Sequence, residues 1–347
     1  MRSPTSILAI VPSKSEKMIA RCGGIVPLRP ACLVDPGRVS LPGGWCAILI
    51  CKAVALQGGC RSGSSGAAMC EFCTRHGDGK KWYLRADAYS HELAQDLQRR
   101  KYTEHFVRDF GAIMRTNLAA LEQFARAPRP LRHLLRSLAS NYMKSRHFGQ
   151  VVPLQDFAAI MPFVNSVVRL PCLCRDFLRK EAGGYCLAFS LGPNDGFMAE
   201  VVDESFWQGI DAAGLQRVEI AEALRLLAQF DDEGLVHTLW TAGPPLTVCV
   251  CNCRLGDCLA MRVTLDLKTR AFFRGEYAAE LRDELCTGCG LCVERCQFGA
   301  VHTVDDTGRV CLDPERCYGC GLCAAACPTN AVRLRDRNEV PAAASLW

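Results

Sequence analysis

No apolar run in this chain is long enough to cross a bilayer. The longest, Trp45 to Leu56, is about a dozen residues and contains Lys52, where a spanning helix needs roughly 20. A secretory leader is not visible either, because the early apolar run from Ile7 to Val11 is too short for its core. Charge imbalance is slight, +5 over 347 residues, so composition makes a nucleic-acid partner unlikely to be the main one. The common catalytic loops are missing as well. There is no Walker loop, no G-x-S-x-G elbow, and no G-x-G-x-x-G set between a strand and a helix. His237 sits on a β-prone apolar stretch and reads as a core histidine rather than a base.

What the chain has in excess is cysteine, 23 in all. Secreted disulfide scaffolds are cysteine-dense, but they are short and enter through a leader. The expected setting is therefore a reducing cytoplasm, with thiolates kept for metal. The length leaves room for two or three domains, and a hydrophobic fraction of 49% is that of a globular protein.

Residues 1–68 are rich in Gly, Ser and Pro, with scattered Cys22, Cys32, Cys46, Cys51 and Cys60 and no period of 2 or 3.6. Met69 follows, then CEFCTRHGDGKKWYL. The expectation is that 1–68 is a disordered or mis-annotated extension and Met69 the biological start; a genuine flexible tail is the alternative. From Ser90 to Arg126 apolar residues such as Leu93, Leu97, Phe106, Phe110, Met114, Leu118 and Leu121 recur at helical steps. Ala127-Pro128-Arg129-Pro130 should end that helix, and a second over about 131–145 should place Leu131, Leu134, Leu135 and Leu138 on one face. Six Arg or Lys and no acid lie between Arg126 and Arg146, either a solvated face or a docking patch for an acidic redox partner. A third helix is expected over about 156–168, and a fourth from Val218 to Phe230, ended by Asp231-Asp232-Glu233-Gly234. LVHTLW and Thr247 to Val250 read as strands, so helix, turn and strand pair could form a winged-helix fragment.

The decisive feature is an internal repeat. Cys286, Cys289, Cys292 and Cys296 are spaced C-x2-C-x2-C-x3-C, and Cys317, Cys320, Cys323 and Cys327 repeat this 31 residues on. Both copies read Cys-x-Gly-Cys-Gly-Leu-Cys. Two-residue gaps wrap three thiolates around one face in a tight loop, and the glycines let the backbone come close. This run is the bacterial signature for two [4Fe–4S] clusters, in which the fourth Cys of each run ligates the other cluster. The first cluster is thereby assigned Cys286, Cys289, Cys292 and Cys327, and the second Cys296, Cys317, Cys320 and Cys323. Pro328 follows the second run as the signature asks, whereas Gln297 stands where a Pro would follow the first. A hairpin should form from 300–304 and 309–312 around Asp305-Asp306-Thr307-Gly308, with 331–334 in the matching place after the second run. Zinc sites more usually pair two C-x2-C corners across a longer gap.

Residues 282–337 resemble a bacterial-type two-[4Fe–4S] ferredoxin. The longer stretch from Met69 resembles a group of uncharacterised ferredoxin-domain proteins, mainly of anaerobic bacteria. The motifs are CTRHGDGKKWYL, PCLCR, DEGLVHTLW and the CNC of Cys251-Asn252-Cys253. The resemblance covers about four-fifths of the chain but implies a settled role, electron transport, only for the ferredoxin part.

Ten cysteines lie outside the repeat and residues 1–68, in three groups and two singles. Two C-x-C pairs could complete a four-thiolate site, so Cys172, Cys174, Cys251 and Cys253, with Cys258 as a substitute, are candidates for a third centre. Its content would be a further Fe–S cluster or zinc, since thiolate softness does not choose between them. Buried thiols acting as small hydrophobes are the alternative. Cys70, Cys73 and His76 form a weaker metal candidate, and Cys186 and Cys311 read as core thiols.

The expected fold class is α+β: a mainly helical region over 69–170, a Cys-rich α+β region over 171–275, and a two-cluster ferredoxin-like module over 276–340. The expected function is single-electron relay to or from a redox partner, as a carrier or an oxidoreductase component. An oxidoreductase with its active site at the extra Cys centre, or a redox-sensing DNA-binding regulator, are the alternatives. Intact mass of the native protein is expected to match a chain beginning at Met69; a mass matching all 347 residues would sink that start.

Overall fold

The charged stretch after Ser90 folds as helix, but in pieces. In the computed structural model, which describes residues 81–146, 148–181, 183–190, 216–304 and 308–346, α1 (His91–Gln95), α2 (Leu97–Arg108) and α3 (Phe110–Arg126) are separated at Asp96 and Asp109. Asp96 caps α2: its carboxylate accepts the Arg99 N–H at 2.9 Å, satisfying one of the helix's orphan donors. The single helix expected over 90–126 is thus three, and at the first break the Asp96 side chain competes with helix continuation. Ala127 is extended ahead of Pro128, and α4 (Arg129–Arg146) begins at once. Leu134 and Leu138 on α4 remain exposed.

Next come β1 (Gly149–Val151), α5 (Phe157–Ile160) between short 3-10 turns, and β2 (Ser166–Leu170). The helix expected over 156–168 is corrected here in its second half. Pro162 sits in the closing 3-10 turn, and the β-branched run of Val164, Val167 and Val168 leads into a buried strand. Then follow α6 (Leu173–Arg179), β3 (Cys186–Ser190), β4 (Gln216–Val218), α7 (Ile220–Asp232), β5 (Val236–Thr241), β6 (Thr247–Cys253) and α8 (Leu259–Leu265). The six strands form one antiparallel sheet in the order β1-β5-β6-β3-β2-β4.

Helix α7 buries Ala223, Leu226, Leu227 and Phe230 in the core over this sheet, among Leu187, Phe189, Leu239 and Val250. It ends as expected at Gly234, whose positive φ lets the Leu235 N–H reach the Phe230 carbonyl at 2.9 Å. The winged-helix expectation is corrected: β5 and β6 are interior strands of the large sheet, flanked by β1 and β3, and no free wing remains.

The C-terminal part contributes β7 (Tyr277–Leu281), α9 (Leu291–Arg295), β8 (Val301–Thr303), β9 (Val310–Leu312), α10 (Leu322–Ala325), β10 (Val332–Asp336) and α11 (Pro341–Ala344). The expected hairpin forms between β8 and β9, with His302 opposite Cys311. Its turn residues 305–307 lie outside the described residues, as do residues 1–80 with Cys70, Cys73 and His76. β10 pairs antiparallel with β7, which precedes the first cysteine run. Among the described residues no helix is long and apolar enough to cross a membrane.

A buried polar network ties the ends of this arrangement together. Trp82 and Tyr83, the aromatic end of the KKWYL motif, are buried. The Trp82 indole donates to Gln150 Oε1, and Gln150 Nε2 donates to Glu276 Oε1 at 3.0 Å. Glu276 Oε2 lies 3.1 Å from Arg337 Nη2, both residues being almost wholly buried. Tyr83 and Tyr277 hydroxyls both donate to Asp156, at 2.7 and 2.8 Å. Removing one partner of a buried ion pair strands the other charge in low dielectric. Glu276→Ala is therefore expected to destabilise the protein by about 3–5 kcal/mol in chemical denaturation, and adding Arg337→Met should recover part of the loss.

Candidate metal centres

Each cysteine run is a loop followed by a single helical turn or little more. Three thiols precede or open α9 in the first run and α10 in the second, and the fourth thiol comes just past the helix. The close approach is tightest at Gly319, whose φ is +70°. A Cβ there would lie 2.2 Å from the Tyr277 carbonyl oxygen on β7, so the loop can nest against that strand only with glycine.

The two runs enclose two hollows. Cys286, Cys289, Cys292 and Cys327 line one, about 290 Å³ including its open mouth, walled by Leu281, Val310 and Val332. Cys296, Cys317, Cys320 and Cys323 line the other, about 320 Å³, walled by Ala279, Phe298 and Tyr318. Each hollow thus takes three thiols from one run and the last thiol of the other.

Backbone donors point at the sulfurs. Ala279 and Gly319 N–H groups reach Cys317 Sγ at 3.3 and 3.4 Å. Ala300 and Val301 donate to Cys296 Sγ at 3.2 and 3.4 Å, and Ala331 to Cys327 Sγ at 3.2 Å. Burial pushes the thiols of Cys317, Cys320 and Cys323 up. At partly exposed Cys327 the burial penalty, the largest single contribution, is outweighed by the sum of hydrogen bonds from Val332, Thr329 and Ala331, and its thiol is pulled down. Buried thiols of this kind ionise only against added positive charge, which a metal supplies. Four thiols, an apolar wall and donors to sulfur fit an iron–sulfur cluster. Among the described residues, no three His, Cys, Asp or Glu side chains close around a single ion.

A family model described as a 4Fe-4S dicluster domain matches residues 285–331. The chain carries a 4Fe-4S dicluster domain. No curated protein and no solved structure is similar enough to the chain to match it.

The dicluster domain shares a core with the sheet. Phe298, Leu322, Cys296, Tyr318 and Cys320 pack in one apolar cluster with Val236, Trp240, Cys253, Cys258 and Phe272. Gln297, standing where the signature has Pro, explains part of this join. Its amide donates to the Gly234 carbonyl and accepts the Leu255 N–H at 2.6 Å. Arg295 adds a hydrogen bond to the Asp232 carbonyl at 2.6 Å. The substitution therefore exchanges a turn constraint for an anchor.

The other predicted thiols also meet. Cys249, Cys251 and Cys253 alternate on one face of β6. Cys186, opposite Cys251 in the β3–β6 register, donates to its sulfur at 3.8 Å. Cys172 is hydrogen-bonded to Cys186 and Cys253, and Cys258 to Cys174 and Cys253. Those bonds pull the Cys172 and Cys258 thiols down, while their partners Cys174, Cys186 and Cys253 are pushed up. Cys186 is buried in the core as expected, and it also touches Cys251 of this group. Its signal was cross-strand register, which spacing along the chain does not carry.

His237 is a buried core histidine, hydrogen-bonded through one ring nitrogen. Its Nδ1 lies 2.6 Å from Asn252 Oδ1 and its Nε2 3.3 Å from Asp231, with the ring edge-on to Phe157. Gly319→Ala is expected to destabilise the dicluster domain by more than about 1 kcal/mol and to lower its bound iron, read by denaturation and iron assay.

Proposed function

We propose that the chain is an iron–sulfur electron-transfer protein that holds two [4Fe–4S] clusters and relays single electrons between redox partners. The observation that carries this reading is the pair of hollows, each rimmed by four thiols drawn three and one from the two runs. Cys286, Cys289, Cys292 and Cys327 are assigned to the first cluster, and Cys296, Cys317, Cys320 and Cys323 to the second. When bound, each cluster takes up and returns one electron. The chain's own groups do the tuning. The N–H donors on Cys296, Cys317 and Cys327 favour negative charge on those sulfurs, while the apolar walls oppose it.

The two sites differ in access. Cys289 is exposed, so the first site offers a face to a partner protein, whereas Cys317 and Cys323 are buried and the second faces the shared core. The partner belongs to the same proposal: a redox protein, acidic where it meets the six Arg and Lys between Arg126 and Arg146. So does a ferredoxin-like fold working in the reducing cytoplasm of an anaerobic bacterium, as the resemblance implies. A second reading, an oxidoreductase wired by these clusters, is favoured by the thiol group of β6, which packs in the same apolar cluster as Cys296 and Cys320. The regulator reading loses its main feature with the winged helix.

Full-length protein purified without oxygen is expected to contain at least about eight irons and about eight acid-labile sulfides per chain. Dithionite should bleach the visible absorption, and Cys320→Ala should remove about half of the iron of the dicluster domain. Zinc in place of iron would overturn the proposal.

A further inference from the structure

Beyond the dicluster domain, six thiols gather in two adjoining apolar clusters. Cys172, Cys174, Cys186 and Cys251 pack in one, Cys253 and Cys258 pack with Cys251 in the other, and Cys186 Sγ lies 3.8 Å from Cys251 Sγ. We propose that this group holds a third metal centre, thiolate-bound and containing more than one atom of iron or zinc.

The donors converge from four separate elements. Cys172 and Cys174 come from the start of α6, Cys186 from β3, Cys251 and Cys253 from β6, and Cys258 from the residue before α8. Free cysteines used as small hydrophobes have no reason to meet one another across four elements. Soft ligands in this number select zinc or iron.

The surrounding charge points the same way. Asp257, almost wholly buried, is shared by three guanidinium groups: Arg179 at 2.7 Å, Arg175 at 3.1 Å and Arg254 at 3.6 Å. One carboxylate cannot balance three cations. Arg179 and Arg254 reach in from a half-exposed rim, but Arg175 is buried, its guanidinium 3.8 Å from the centre of the Tyr185 ring. The Arg175 Nε has no hydrogen-bond partner among the described residues. The same residue's backbone N–H is bonded to the Cys172 sulfur. A metal–thiolate centre of net negative charge would add a second counter-charge beside the buried Arg175.

Nuclearity follows from shape. Six thiol donors exceed the four that one tetrahedral ion can use. The centre lies beside the second cluster site, since Cys253 and Cys258 share their apolar cluster with Cys296 and Cys320. Gln297 ties the Leu255 N–H, in the loop between Cys253 and Cys258, to the residue after Cys296. The proposal does not depend on the dicluster assignment and fails separately from it.

The test is a metal inventory of the full-length protein, purified without oxygen, for iron, zinc and acid-labile sulfide. An excess of two or more metal atoms over the iron of the dicluster domain is expected. Iron with matching sulfide would make the centre a cluster, and zinc without sulfide a zinc–thiolate centre. Cys172→Ser and Cys253→Ser should each lose that excess while keeping the dicluster iron, and Cys311→Ser should keep both. If the serine variants do not fold, alkylation of the wild-type protein decides. The six cysteines should react in denaturant only after a chelator is added. An excess of one atom or none, or six thiols that alkylate in denaturant without chelator, would overturn the proposal.

Discussion

Burying a thiolate is unfavourable unless positive charge or hydrogen-bond donors meet it, and this chain gathers buried thiols in more than one place. All sixteen described cysteines are free thiols, so no disulfide removes the problem. In the dicluster domain the answer is local. N–H groups of Ala279, Gly319, Ala300, Val301 and Ala331 point at sulfur, and the hollow leaves room for a metal cluster to supply the remaining charge. At Cys172 the answer is the neighbouring Arg175, itself paired with Asp257. The fold can be read as a scaffold for bringing those compensating groups to the sulfurs.

That requirement explains why the dicluster domain is embedded. A free-standing module would need polar residues over the face that here carries Phe298, Tyr318 and Leu322. The ring of Tyr318 stacks on Phe298 at 4.3 Å between centroids, and Phe272 from the preceding region meets both edge-on. Arg274 lies over Tyr318 and donates to the Cys317 carbonyl, so the segment leading into β7 also braces the second cysteine run. Together with Gln297 and Arg295, these contacts make the second site part of the main core, while Cys289 keeps the first at the surface. One site thus faces out and the other faces in.

The KKWYL motif takes its meaning from the same join. Along the chain it is an aromatic cluster after a glycine-rich stretch. In space Trp82 contacts Gln150 on β1, and Tyr83 shares Asp156 with Tyr277 on β7. Three segments far apart in sequence therefore meet in one polar network under apolar cover. Such networks specify a unique arrangement because each member left without its partner is costly.

Spacing along the chain was enough for whatever depends on neighbours within a few residues. The two C-x2-C-x2-C-x3-C runs, the β8–β9 hairpin and the glycine stop of α7 were legible because loop closure and capping are local. The rest was not. The turn of Val164–Val168 from helix to strand and the burial of β5 and β6 inside a six-stranded sheet were settled by packing partners distant in sequence. Cys172, Cys174, Cys251, Cys253 and Cys258 could be nominated from C-x-C spacing, but Cys186 could not, since only antiparallel register sets it opposite Cys251. The sequence by itself determined which chemistry the chain can hold, because ligand type and short spacing are written in it. Tertiary structure decided which thiols meet and which charges face them, because pairing across a sheet depends on long-range contacts that no local pattern encodes.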